Sequence, residues 1–482
     1  MNMLIYAEMF FLALVLGRVL MKMRWDVPLK LSRARYAREP GLILISLLFL
    51  LNLGIIVDRT VNTPKGPNVL FIIVDALRAD HVSCYGYSRN TTPSIDGLSS
   101  HSILFKNAIS AAPWTTPSIG SMFTSQYPAV LGFRGEPVVI DEAFLTITEI
   151  FKENNYATKG IVSHTFVSSS LGFDQGFDSY DEENAKGHGH VSSPSVTEKA
   201  ISFLNRHKNR KFFLFLHYFD PHCDYVLHED YDYYPDYDGP LYSSQPIREL
   251  REKAPYMRAN DIEYLKALYD SEIRFTDEYI GKLLDELKEL ELYDNTLIVF
   301  TADHGEEFLE RGDYWIGHTK KLYQEQIHVP LIMKLPGHIK QEIRYEYLGL
   351  IDLMPTIVDY AGLWIPSEYG CEGQTIDMNY IEELGNRTIF SQTRRWANLR
   401  SATRKGWKLI YNPYTRSRQL FDLEKDPAES ENLAAKNNGA LQEMEVTLQK
   451  WNSQMKSRRT EAEQPTFAEE QKKHLRSLGY LQ

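Results

Sequence analysis

The sequence predicts an α/β fold in which a mostly parallel sheet is sandwiched by helices, and three observations carry that expectation. Two apolar runs, within 68–75 and 295–305, are continuous rather than alternating, as strands buried on both faces of a parallel sheet are. Such runs alternate with longer stretches of helical period, the βα order of a sheet covered on both sides. Both runs end in acidic residues, Asp75 and Asp303, the second followed by His304 and Gly305. The carboxyl edge of an open α/β sheet is where such folds place their chemistry.

Composition narrows the class of function. A chain of 482 residues with 43% hydrophobic content is long enough for one large domain with appendages. A net charge of −11 and a pI near 5.8 argue against nucleic acid as partner, because nucleic-acid binders present basic surface to phosphates. Small-molecule, lipid or glycan substrates fit better. The three cysteines, Cys84, Cys223 and Cys371, show neither paired nor metal-finger spacing, so disulfides do not organise the fold.

Taken in order, residues 1–57 read as a membrane anchor. Residues 41–57 are a charge-free apolar run of about 17 residues, the lower limit for crossing a bilayer, with only Ser46 and Asn52 as polar members. Residues 4–20 are apolar apart from Glu8 and Arg18, so two transmembrane helices are expected, joined by a basic loop at 21–40 that carries Lys22, Arg24, Lys30, Arg33, Arg35 and Arg38. By the positive-inside rule that loop is cytoplasmic, and everything after Val57 lies outside. Residues 58–66 form a polar linker. From 67 to 370 runs the main domain, with a strand at 69–74, a helix at 92–100 and a turn at Thr115, a candidate nucleophile, leading into 119–123. A buried strand follows at 211–217 and ends in Asp220-Pro221-His222, and an amphipathic helix spans 261–292. The Tyr- and Asp-rich stretch 224–242 lacks periodicity and reads as a loop of the kind that shapes substrate choice. Short strands at 388–392, 407–411 and 419–423 mark a change of character in 371–434, and 435–482 is a charged helical tail.

Six blocks then stand in register: 68–87 (NVLFIIVDALRADHVSCYGY), 115–125 (TTPSIGSMFTS), 212–225 (FFLFLHYFDPHCDY), 268–284, 295–336 and 407–432. In these the chain resembles the sulfatase branch of the alkaline phosphatase superfamily. The resemblance implies that 371–434 is a small C-terminal antiparallel α+β subdomain. It implies one divalent metal ion, held by Asp75, Asp303, His304 and the Thr115 hydroxyl; Zn, Mn, Mg and Ca all suit such donors. His222 and His318 match positions that contact the transferred group or protonate the leaving oxygen, and Lys320 and Lys321 lie near positions used for anions. Asp270, Glu272 and Asp277 read as structural or as partners of nearby cations.

The chain also departs from the family. Sulfatases carry a Cys or Ser that becomes formylglycine, whereas Thr115 stands here, and oxidising a secondary carbinol gives a ketone instead. The Arg that follows in the family motif is Ile119, and the second metal carboxylate is Ala76. A Thr nucleophile looks more like the phospho-transferring cousins, such as the phosphoethanolamine and phosphoglycerol transferases and the nucleotide pyrophosphatases. The leading expectation is therefore a metal-dependent hydrolase or transferase at the cell membrane, its catalytic domain extracytoplasmic, acting through Thr115 on a phosphate, phosphonate or sulfate ester of a lipid headgroup or glycan. A sulfuric ester hydrolase that works without formylglycine is one alternative. A catalytically degenerate binding protein, motivated by Ala76, Ile119 and Leu131, is another.

Overall fold

The central strand β1 (Asn68–Val74) is buried along its whole length and pairs in parallel with β5 (Phe212–Tyr218) on one side and β6 (Thr296–Ala302) on the other. These belong to a computed structural model that describes residues 66–185, 191–458 and 460–477, together with Pro64. The membrane anchor expected at 1–57 lies outside the described residues, as does most of its linker. Among the described residues no helix is long and apolar enough to cross a membrane.

The remaining strands of the main sheet are β2 (Ile103–Ile109), β3 (Ala157–Ile161), β4 (Ser179–Asp181), β9 (His328–Lys334) and β10 (Glu342–Gly349). A two-stranded ribbon, β7 (Glu307–Phe308) and β8 (Ile316–Gly317), stands apart from it. The order in the main sheet is β10-β2-β9-β6-β1-β5-β3-β4. All its pairings are parallel except those of β9, which runs antiparallel to β2 and β6. Helices Pro93–Ser99 and Ser193–His207 both contact the long helix Ala259–Glu289, while Thr115–Thr124, Ile147–Glu153 and Leu353–Tyr360 contact one another. Phe215 of β5 meets Phe71 of β1 at 5.7 Å and Phe123 of helix Thr115–Thr124 at 4.8 Å between ring centroids, so that helix is seated on the core by aromatic packing.

Residues 389–422 form a second, antiparallel sheet, β11 (Ile389–Thr393), β12 (Leu399–Arg404), β13 (Trp407–Tyr411) and β14 (Arg418–Asp422), ordered as in the chain. Helix Asn438–Arg458 buries Met444, Leu448, Trp451 and Met455. The Trp451 ring stacks on Phe390 at 4.7 Å and meets Tyr127 edge-on at 5.2 Å. The apolar stripe of this helix thus ties the small sheet to the main domain.

The parallel register decides where the site lies. Val74 is level with Ala302 and Tyr218, so Asp75 and Asp303, each one residue past its strand, emerge side by side at the carboxyl edge.

Candidate active site

Asp75 leaves β1 with its amide donating to the Tyr218 carbonyl at 2.8 Å. The chain then turns through Ala76, whose φ of +56° lies in the left-handed region. That turn points the Ala76 amide at Asp303 Oδ1, 3.2 Å away, and the His304 amide donates to the same oxygen at 2.9 Å. Hydroxyls of Ser110 and Ser118 each donate to the Asp303 carbonyl at 2.6 Å. Asp303 is therefore fixed by its backbone and by Oδ1, and Oδ2 remains for the cluster.

His304 Nδ1 lies 2.9 Å from the Gly305 carbonyl. A carbonyl only accepts, so Nδ1 carries the proton and Nε2 of the neutral ring offers a lone pair. That Nε2 stands 3.3 Å from Thr115 Oγ1, 3.3 Å from Asp303 Oδ2 and 3.4 Å from Asp75 Oδ1. Thr115 is buried at the first position of helix Thr115–Thr124, after the extended Trp114. Four groups that span 229 positions of sequence thus converge. The donor atoms of Asp75, Asp303 and His304 all lie within 4.8 Å of one another.

The cluster fits a divalent cation. Both Asp75 oxygens and Asp303 Oδ2 are buried without a well-formed hydrogen bond, and uncompensated buried carboxylates cost on the order of several kcal/mol each. Burial alone would raise the Asp75 carboxyl. The field of His222 and contacts with His164 and His217 hold it well below the usual carboxylate range. Asp303 is pushed well above that range by burial and by the Asp75 charge beside it. A cation between the two relieves this conflict, and three oxygens with one imidazole form a donor set for Mg, Mn, Ca or Zn.

His318 and His222 flank the cluster. The His318 ring is 4.3 Å from that of His304 and 4.8 Å from that of His222, centroid to centroid. His318 Nδ1 meets Glu306 Oε1 at 3.0 Å, and His222 Nδ1 donates to the Cys223 carbonyl at 2.9 Å. Burial lowers His222 to about 4 and His318 well below the ordinary imidazole range, while it pushes Glu306 up to about 7.

The structure adds residues that sequence reading missed. His164 Nδ1 and His217 Nε2 each stand 3.4 Å from Asp75 Oδ2. His217 had a signal, a histidine near the end of an otherwise apolar buried strand and level with Ile73. His164 follows β3 in a segment without periodicity and had none. Glu306, two residues after His304, was readable as a further acid in the same turn.

One expectation is corrected. Lys321 does not serve as an anion ligand, because Glu307 and Asp313 each hold its ammonium at 2.5 Å. Lys320 lies 3.7 Å from Asp313. The acids of the long helix are structural, with Asp270 pairing His81 and Arg89 at 2.7 Å each.

Comparison with known proteins bears on the family and on the fold. The family model described as Sulfatase matches residues 67–363, and that of the N-sulphoglucosamine sulphohydrolase C-terminal region matches 312–458. Human iduronate 2-sulfatase is 28% identical over 392 residues, covering 63% of this chain and 70% of its own. Among solved structures, a protein in complex with its substrate D-glucosamine-2-N,6-O-disulfate superposes with a TM-score of 0.64 at 20% identity, covering 82% of this chain and 99% of its own. The phosphonate monoester hydrolase of Agrobacterium radiobacter gives 0.64 at 19%, covering 81% and 96%. At these identities the superpositions speak to the fold.

Proposed function

The chain belongs to the sulfatase family, and from that premise we propose that it is a metal-dependent hydrolase of sulfate or phosphate esters in which Thr115 is the nucleophile. The observation that carries this reading is Thr115 Oγ1 standing 3.3 Å from His304 Nε2, inside the Asp75, Asp303 and His304 cluster. The names of its relatives, a sulfatase of iduronate and a hydrolase of phosphonate monoesters, support the ester class.

A divalent ion held by Asp75, Asp303, His304 and the Thr115 hydroxyl would lower the pKa of that hydroxyl and offset charge on the ester oxygens. Thr115 Oγ1 forms the new bond to sulfur or phosphorus as the bond to the leaving alcohol breaks. The proton that Thr115 gives up reaches the leaving oxygen through His318, whose ring burial keeps neutral and which Glu306 buttresses at Nδ1. His222 sits beside it and binds the transferred group. Attack of water on the threonyl ester then releases sulfate or phosphate and restores the hydroxyl.

The test is metal content and turnover of 4-nitrophenyl sulfate and bis(4-nitrophenyl) phosphate by the wild-type protein and Thr115→Ala. The expected result is about one bound divalent ion and a loss of turnover of at least about 10³-fold in the variant, the scale of a lost nucleophile. Turnover that survives in Thr115→Ala with sulfate as the released anion points instead to metal-activated water. A metal-free, inert protein returns the chain to the binding-protein reading.

We further propose that residues 1–57 anchor the protein in the cell membrane with the catalytic domain outside. This rests on the charge-free run at 41–57 and the basic loop before it. The full chain should stay with membranes through an alkaline carbonate wash, and recovery in the soluble fraction would end that reading.

A further inference from the structure

The first half of β10 is an open edge of the main sheet. β10 stands last in the strand order, and beyond it lies no further strand among the described residues. The Glu342 amide donates to the Ser102 carbonyl at 3.0 Å, so Glu342 turns its backbone toward β2. In a parallel pair alternate residues turn both backbone groups to the same side, and Ile343 therefore presents its N–H and carbonyl outward. The open stretch is short. Past Arg344 the register with β2 shifts, and Asn107 Nδ2 donates to the Tyr345 carbonyl at 2.7 Å. At Glu346 the edge is closed by Gly385, where an added Cβ would lie 2.8 Å from Glu346 Cβ.

The two faces of this stretch differ in chemistry. Gln341, Ile343 and Tyr345 share one face, where Ile343 is 42% and Tyr345 67% exposed. Glu342 and Arg344 share the other and form an ion pair at 2.7 Å through Arg344 Nη2. An open edge is a template for another strand, and charges along it decide which strand and which register it admits. When the stretch pairs antiparallel with itself, like faces stay together only if the two-fold axis sets one residue opposite its own copy. An axis at Glu342 sets two Glu342 carboxylates face to face and Lys340 against Arg344, and an axis at Arg344 opposes two guanidiniums and sets Glu342 against Glu346. An axis at Ile343 sets Glu342 against Arg344 on both sides of a central Ile343 pair, with Gln341 against Tyr345. Axes at Gln341 and Tyr345 also match opposite charges, but the first runs past the start of β10 at Glu342 and the second needs the stretch closed at Glu346. Ile343 is thus the one centre that is complementary in charge and lies within the open edge.

We propose that two copies of this chain join edge to edge through β10, antiparallel about a two-fold axis at Ile343, so that their eight-stranded sheets become one. The Ile343 N–H of each copy donates to the Ile343 carbonyl of the other. On one face Glu342 and Arg344 of both copies alternate in a square of four charges, and on the other the two Ile343 side chains meet between the Tyr345 rings. β10 carries none of the residues of the catalytic cluster, so this interface stands apart from the ester-hydrolase reading.

The experiment is sedimentation velocity of the full-length protein in detergent over a concentration series, with Glu342→Arg, Arg344→Glu and the double reversal beside the wild type. The wild type should show a monomer–dimer equilibrium. Each single reversal sets like charges opposite each other twice and should raise the dimer dissociation constant about ten-fold or more, while the double reversal, complementary again, should restore it. Cysteine cross-linking with copper phenanthroline reads the register itself. Ile343→Cys should give a covalent dimer, because its Cα atoms lie about 5.5 Å apart across the axis, within disulfide range. Tyr345→Cys should not, because its copies stand about 14 Å apart along the strands, and the wild type with its three native thiols sets the background. A wild type that stays monomeric, a dimer indifferent to both single reversals, a double reversal that does not recover, or Tyr345→Cys cross-linking as readily as Ile343→Cys overturns the interface. If thermal melts show a charge variant misfolded, the two cysteine variants at exposed positions decide.

Discussion

Asp277 is a carboxylate on which burial and hydrogen bonding pull in opposite directions. It projects from the long helix with no solvent exposure and accepts the amides of Ser94 and Ile95 at 2.9 and 2.8 Å, two of the orphan donors at the start of helix Pro93–Ser99. Burial outweighs those bonds and raises its pKa from 3.8 to about 6. A raised carboxyl contributes stability that is complete below the unfolded value and is lost as pH climbs through the folded one. Asp277→Asn cannot ionise. The stability gap between wild type and variant should therefore be widest below about pH 4, narrow by on the order of 3 kcal/mol up to about pH 6, and stay flat above. Thermal melts across pH 4 to 8 read this directly, and a gap without pH dependence would show that Asp277 is not the buried ionisable cap described. Legibility at this scale followed chemistry at chain turns. Asp75, Asp303, His304 and Thr115 announced themselves because each stands where an apolar strand ends or a helix begins. His164 did not, because nothing local marks a histidine that follows a strand in a segment without periodicity.

At the level of elements, continuous apolar strands were legible because burial on both faces leaves no room for polar residues. Residues 69–74 and the expected strand at 211–217 lie within a residue of β1 and β5, and 407–411 coincides with β13. The long helix expected at 261–292 runs over Ala259–Glu289, its apolar period extending slightly past its hydrogen bonds. Strands β2 and β10 were missed for a physical reason. Lys106 and Asn107 interrupt β2 where it is only half-buried, and β10, at the edge of the sheet, alternates exposed and covered residues over its first half. The antiparallel insertion of β9 between β2 and β6 is a tertiary choice that no periodicity encodes. The carboxyl-edge site is insensitive to it, because β1, β5 and β6 alone set the level of Asp75 and Asp303.

The molecule as a whole depends on how firmly its small sheet is held to the large one, since just past β11 the Arg395 guanidinium lies 5.0 Å from the ring of Trp114, the residue before Thr115. Glu429 is the fastening. Its carboxylate is buried, pairs at 2.8 Å with the equally buried Lys408 of β13, and accepts the Gln324 amide at 2.6 Å. Its carbonyl and that of Ala428 accept Arg311, which also pairs with Glu325. Charges taken out of water in this way are stable only as a set. Glu429→Gln strands the Lys408 ammonium and should cost about 3 to 5 kcal/mol, whereas replacing both partners, Lys408→Met with Glu429→Met, should recover most of that loss because no unpaired charge remains. Urea unfolding of the two variants checks the sign. Equal destabilisation would mean that the pair contributes by shape rather than charge.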